Sequence, residues 1–145
     1  MTFRFRSIVF SILVILIILG GFNMTSAQVK ENEPEKLVVV WTSGDKEVAN
    51  DMVFMYAHNA KKRGWWKDVT MIIWGPSQKL AAEDEEIQKQ LTAMKESGIT
   101  IEVCKACADR YGVAEELTEC GFSVEYMGVP LTNYMKDPNV KVVSF

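Results

Sequence analysis

The chain has 145 residues, 48% of them apolar and 24% charged, with a net charge of −3. That length and apolar fraction suit one globular domain with an ordinary core and exclude intrinsic disorder, and the acidic balance argues against a nucleic-acid partner. Three cysteines, Cys104, Cys107 and Cys120, are too few for a disulfide scaffold and leave one thiol unpaired however they join, so they read as a local chemical feature.

Residues 1–27 place Arg4 and Arg6 ahead of an apolar run from Ile8 to Leu19, followed by Gly20-Gly21 and the small-residue end Thr25-Ser26-Ala27. This is the pattern of a secretory signal cut after Ala27. The run is shorter than the ~20 residues a membrane span needs, and the alternative is an uncleaved N-terminal anchor. Cleavage removes two of the 16 basic residues and none of the 19 acidic ones, leaving −5. The expected location is therefore exported, in a periplasmic compartment where disulfides can form, or attached to the membrane if the segment is kept. Residues 28–36 are polar, contain Pro34, and are expected to be a tether. The folded domain is expected over residues 37–145.

Within that domain, Leu37 to Trp41 is a continuous apolar run of the kind found in a strand covered on both faces. Thr42-Ser43-Gly44-Asp45 is a tight turn. Glu47 to Arg63 follows with Val48, Met52, Met55, Tyr56 and Ala60 at helical spacing, and Gly64 closes it. Val69 to Trp74 is a second strand broken by Gly75-Pro76-Ser77. A short helix at Leu80 to Ala82 and a clear one from Glu85 to Ser97 come next, with Gly98 as the stop.

Ile99 to Gly112, ITIEVCKACADRYG, carries the most chemistry. Ile99, Ile101 and Val103 alternate with Thr100 and Glu102, the period of a strand buried mainly on one face, and Cys104 stands where the strand gives way to a helix over Lys105 to Tyr111. A thiol at such a junction meets unpaired N–H groups and the positive helix end, which favour the nucleophilic thiolate, and Lys105 adds a positive charge beside it. Gly112 breaks this helix, Val113 to Glu119 forms another, and Gly121 ends it. Phe122 to Met127 is expected as a fourth strand, Gly128-Val129-Pro130 as a loop, Leu131 to Met135 as a short helix and Val140 to Ser144 as the last strand. Alternation of this kind predicts an α/β sandwich with a mostly parallel sheet of about five strands.

In such a sheet, ligands gather beyond the carboxyl ends of the strands. One edge would then collect Thr42, Ser43, Gly44 and Asp45 from the first strand, Trp74, Gly75, Pro76 and Ser77 from the second, and Cys104, Lys105 and Cys107 from the third. Trp41 and Trp74 are candidate walls of that site or core residues. Asp45 is a site residue or a helix cap, and Arg110 and Tyr111 are candidates to orient an anionic sulfur species. For Cys104 the alternative to a nucleophile is a small apolar group packed at a strand end. Cys107 is a resolving thiol or a sheet-facing one, and Cys120, at a helix end, reads as core. His58 is the only histidine and lies inside the first helix with nothing marking it as close to the thiols. No metal or cofactor is therefore expected. The acidic run Glu83 to Glu86 reads as a solvated helix start.

The TSGD turn, the WGPS break, the VCKACADRYG segment and the closing YMGVPLTNYM segment together resemble the DsrE family of small α/β proteins, from about Leu37 to Phe145. The resemblance implies a three-layer α/β/α sandwich. In the family's sulfur-relay members, a cysteine ending the third strand is followed by an alanine, a basic residue and a glycine at the offsets filled here by Ala108, Arg110 and Gly112. It implies that Cys104 carries a persulfide between a sulfur donor and an acceptor thiol or protein, and that the chain forms trimers or hexamers. Cys107 is an addition to the pattern and makes a CxxC. Two further functions stand beside persulfide transfer: dithiol–disulfide exchange by Cys104 and Cys107, and a non-catalytic oligomeric small-molecule-binding role. The relay proteins act in the cytoplasm, whereas this chain carries an export signal, so its donor and acceptor would differ from theirs.

Overall fold

The computed structural model describes residues 34–145. The expected signal, and all of the tether before Pro34, lie outside the described residues. No helix among the described residues is long and apolar enough to cross a membrane.

Five strands, β1 (Lys36–Trp41), β2 (Asp68–Ile73), β3 (Thr100–Cys104), β4 (Ser123–Glu125) and β5 (Val140–Ser144), form one sheet in the order β4-β3-β2-β1-β5. Every pairing is parallel, with Val39 opposite Met71 and Val143, and Ile72 opposite Glu102. The first helix, α1, is three consecutive segments: Lys46–Val48, a π-helical Ala49–Phe54, and Met55–Lys62. The others are α2 (Ser77–Glu83), α3 (Glu85–Glu96), α4 (Lys105–Tyr111), α5 (Ala114–Glu119) and α6 (Gly128–Lys136).

Handedness explains the layers. The chain steps in one direction from β1 to β4, and right-handed crossovers put α1 to α5 on one face. The return from β4 to β5 runs the opposite way across the sheet and places α6 on the other. Leu37, Val39, Trp41, Met71, Ile73, Ile101 and Val103 build the larger core with Ala49, Val53, Phe54 and Ala57 of α1, Leu91 of α3 and Leu117 of α5. Val38, Val40, Ile72, Cys104 and Val140 point the other way, against Leu131 and Tyr134 of α6. The expected α/β sandwich is thus present, with its sheet wholly parallel.

Three boundaries differ from the sequence reading. The helix expected at Leu80 to Ala82 starts at Ser77 because Ser77 and Gln78, both fully buried, are drawn into the fold by hydrogen bonds. The fourth strand shrinks to Ser123–Glu125, an edge strand paired only with β3, while Phe122 turns into the core and Tyr126 out to solvent. The expected loop Gly128-Val129-Pro130 is the first turn of α6: the Leu131 N–H donates to Met127 O at 2.9 Å, and Pro130 sits where a helix needs no N–H from it.

Candidate functional site

The carboxyl ends of β1, β2 and β3 are tied together by two buried polar residues of α2. Ser77 Oγ lies 2.7 Å from Trp41 O and 3.1 Å from Trp74 O, and Ser77 N–H donates to Thr42 O at 3.3 Å. Gln78 Nε2 donates to Ile73 O at 3.0 Å and to Cys104 O at 2.9 Å. The last paired rung of β2 and β3 is Ile73 opposite Val103, so Gln78 continues the link one step beyond the ladder. It fixes the backbone of Cys104, which is extended (φ −72°, ψ 106°) and caps α4 without a side-chain hydrogen bond. Gln78 Oε1 is itself buried with no hydrogen-bond partner among the described residues.

Cys104 is 2% exposed and projects to the α6 side, in a cluster with Ile72 and Met127 and with the half-buried Trp74, Cys107, Leu131 and Tyr134. Cys107, one turn into α4, packs against the cluster that contains Cys104. Burial pushes the Cys107 thiol up; the Gly75 N–H and the Arg110 charge pull the other way, and Cys104 pushes it further up. Gly75 has φ +74°, a conformation that glycine adopts without strain. All three cysteines are free thiols.

The structure thus gathers Cys104, Cys107, Trp74, Gly75 and the charge of Arg110, and sets the other sequence candidates to different tasks. Trp41 is fully buried on the opposite face, its ring edge-on to Phe54 at 5.0 Å, and is a core residue. Thr42 gives both its N–H (2.9 Å) and its hydroxyl (2.6 Å) to Phe145 O. Asp45 caps α1 through the N–H groups of Glu47 (2.8 Å) and Val48 (3.0 Å), and Ser43 Oγ accepts the Asp45 N–H at 3.1 Å. Gly44 lets the two loops approach: a Cβ there would stand 3.3 Å from Pro76 Cβ. Lys105, expected to lend its charge to Cys104, is bonded to both carboxylate oxygens of Asp109 at 2.7 and 2.8 Å. Tyr111 packs against the larger core, with the Lys79 ammonium 5.2 Å from its ring centroid. Cys120 also packs on that core, across the sheet from the other thiols. His58 lines a cavity of about 380 Å³ between α1 and α3.

Three residues of this region carry no signal as site residues in the sequence reading. Gln78 falls between the Gly-Pro-Ser break and the helix expected at Leu80 to Ala82, in no expected element. Glu102 reads as the solvent side of a half-buried strand, and Tyr134 as part of a short surface helix. The signal that finds Glu102 is strand parity, because Glu102 and Cys104 share a face of β3.

Comparison with known proteins agrees with this architecture. The family model described as the DsrE/DsrF-like family matches residues 35–145. Among solved structures, the conserved protein of unknown function BT1422 from Bacteroides thetaiotaomicron is 45% identical and superposes with a TM-score of 0.73, the match covering 77% of this chain and 95% of that one. The YchN protein of E. coli shares 16% identity and the fold, with a TM-score of 0.59 and coverage of 77% and 99%. No curated protein matches the chain. With its matched segment spanning the whole five-stranded domain, the chain belongs to the DsrE/DsrF-like family.

Proposed function

We propose that the protein handles sulfane sulfur, with Cys104 accepting it as a persulfide and passing it to another thiol. The observation that carries this is the placement of Cys104 at the β3–α4 junction, 2% exposed beneath Trp74 and beside a second thiol. Family membership supports it, as does the resemblance of the VCKACADRYG segment to the sulfur-relay members, in which Cys104 matches the persulfide-carrying cysteine. Burial disfavours the Cys107 thiolate. Intact-mass and peptide mass spectrometry after incubation with thiosulfate or a small persulfide donor should find one added sulfur, about 32 Da, on Cys104. An unmodified Cys104, under conditions that load an established carrier, would refute the proposal.

A second reading rests on the two free thiols packed in one cluster. Cys107 attacks the inner sulfur of the Cys104 persulfide, the terminal sulfur leaves as hydrosulfide, and a Cys104–Cys107 disulfide closes. That chemistry makes the pair a dithiol–disulfide exchanger, and its signature is a pair that oxidises in a glutathione redox titration. If the pair stays reduced across that range and Cys107→Ser leaves the lifetime of the loaded sulfur unchanged, storage and transfer alone remain.

Tyr126, Val129 and Met135, on α6 and just before it, are 67%, 71% and 69% exposed. They support self-association into a trimer or hexamer, and a monomer by light scattering at micromolar concentration would exclude it. The N-terminal signal pattern supports an exported, periplasmic location; the intact mass of the native protein would show whether residues 1–27 have been removed.

A further inference from the structure

The second core gathers sulfur atoms from three separate elements. Cys104 ends β3, Cys107 stands one turn into α4, and Met127 follows β4 just before α6. Strand register explains how they meet. Cys104 is paired with Glu125, the last residue of β4, and Met127 lies two residues beyond Glu125. The carboxyl ends of neighbouring parallel strands therefore bring Met127 alongside Cys104, on the face of the sheet that α6 covers. There Cys104 and Met127, each 2% exposed, belong to one buried cluster, and the half-buried Cys107 and Trp74 pack against it. Cys104 is also among the groups that act on the Cys107 thiol, which sets those two residues side by side.

The sulfur chemistry proposed above leaves Met127 unused. A thioether carries no proton and forms neither a persulfide nor a disulfide, so in those reactions Met127 is packing alone. Beside two thiols it completes a donor set of a definite kind. Among the described residues, no group of three or more His, Cys, Asp and Glu side chains is placed to hold a metal ion, so the closed four-ligand site that zinc needs is excluded. Calcium and magnesium take oxygen ligands, whereas the cluster around these sulfurs is apolar, with Val40, Ile72 and Leu131 in it. Thiolates with a thioether in a dry setting select the soft monovalent ion Cu(I), which a linear or trigonal set of sulfurs satisfies. The surroundings suit such a complex. Cu(I) between two thiolates carries a net negative charge, and the Arg110 charge, which favours the Cys107 thiolate, offsets it. Gln78 holds the Cys104 backbone at 2.9 Å, fixing the buried donor, and the half-buried Cys107 leaves the side from which an ion enters.

We propose that Cys104, Cys107 and Met127 form a binding site for Cu(I). Each thiol gives its proton to solvent as its sulfur bonds the ion, and the Met127 thioether contributes a lone pair. Copper stays in the +1 state and no electron is transferred, so binding needs neither oxidant nor reductant. The site shares Cys104 with the sulfane-sulfur reading and does not rest on it.

The test is an anaerobic competition in which the reduced, intact protein is titrated into the Cu(I) complex of bicinchoninate, whose visible absorbance falls as copper is removed. Wild type should take one Cu(I) per chain, with the same stoichiometry by native mass spectrometry. X-ray absorption at the copper edge should show a coordination shell of sulfur alone. Cys104→Ser and Cys107→Ser should each weaken binding by at least about 100-fold, and Met127→Leu, which keeps the packing volume, by about tenfold. Cys120→Ser should bind as wild type does, because Cys120 packs on the larger core across the sheet. Met127→Leu keeps the test open if a serine at the buried Cys104 prevents folding. A wild type that leaves the copper with bicinchoninate overturns the inference. So does copper held equally well by a folded Cys104→Ser, and so does a Met127→Leu affinity equal to that of wild type, which would make Met127 a packing residue only.

Discussion

Gln78→Glu is a nearly isosteric change at a position where the structure dictates the sign and slope of the effect. The Gln78 side chain is fully buried, and its amide N–H₂ serves two carbonyls, Ile73 O at 3.0 Å and Cys104 O at 2.9 Å. A carboxylate in that place would set a negative oxygen against two carbonyl oxygens with no cation beside it, so the folded protein can accept the residue only in its protonated form. The folded-state pKa then rises above the unfolded value of about 4.3. The sign follows from linkage: above that value the native state binds more protons than the unfolded state, so stability falls as pH rises until the folded-state pKa is passed. One proton retained corresponds to about 1.4 kcal/mol per pH unit. Between pH 5 and pH 7 the variant should therefore lose about 2.7 kcal/mol relative to wild type, beyond any deficit already present at pH 5. Urea unfolding of both proteins at pH 5, 6 and 7 gives that difference directly, with the pH dependence of the wild type subtracted. A deficit that stays flat across the range would mean that the new carboxylate escapes to solvent, and that Gln78 does not clasp the ends of β2 and β3 as described.

Ser77→Ala should destabilise by about 1–2 kcal/mol in the same assay, since it removes the hydroxyl within reach of Trp41 O and Trp74 O; a value near zero would refute its bridging role. Gly75→Ala should cost about 1–2 kcal/mol from its φ of +74° alone, because nothing lies within 4 Å of the added Cβ, and a neutral result would mean the loop has no fixed conformation. The ultraviolet alkaline titration of wild type minus that of Tyr134→Phe should show a single phenol with a midpoint of about 12. A midpoint near the ordinary phenol value would refute the burial of this hydroxyl beside Glu102. Cys107 should react with iodoacetamide more slowly at pH 8 than a thiol in an unstructured peptide, because burial disfavours its thiolate; equal rates would refute that.

What the sequence made legible, and what it hid, follows from how far each signal reaches. Continuous apolar runs such as Leu37 to Trp41 announce strands covered on both faces, and alternation with helical periods announces a parallel sheet. Both patterns are local, and both are present in the structure as strands in register. Cys104 was legible for the same reason, since a strand ending at a helix start is a local pattern. Lys105 and Asp109 were visible as neighbours too, yet their ion pair requires choosing a side-chain partner across one helical turn, and that choice takes the lysine charge away from the thiol.

Glu102 was misread for a different reason. Alternation within ITIEVC says that Ile101 and Val103 face one way and Glu102 and Cys104 the other; it does not say whether the second side is wet. That depends on the long return from β4 to β5, which places α6, more than 20 residues further along, over the far face of β3. Once α6 covers that face, Glu102 becomes a half-buried carboxylate with Tyr134 on one oxygen, and Cys104 packs with Ile72 and Met127 instead of among Ile101 and Val103. Strand parity puts the acid and the thiol on one face of β3, and only the return of α6 decides that this face is buried.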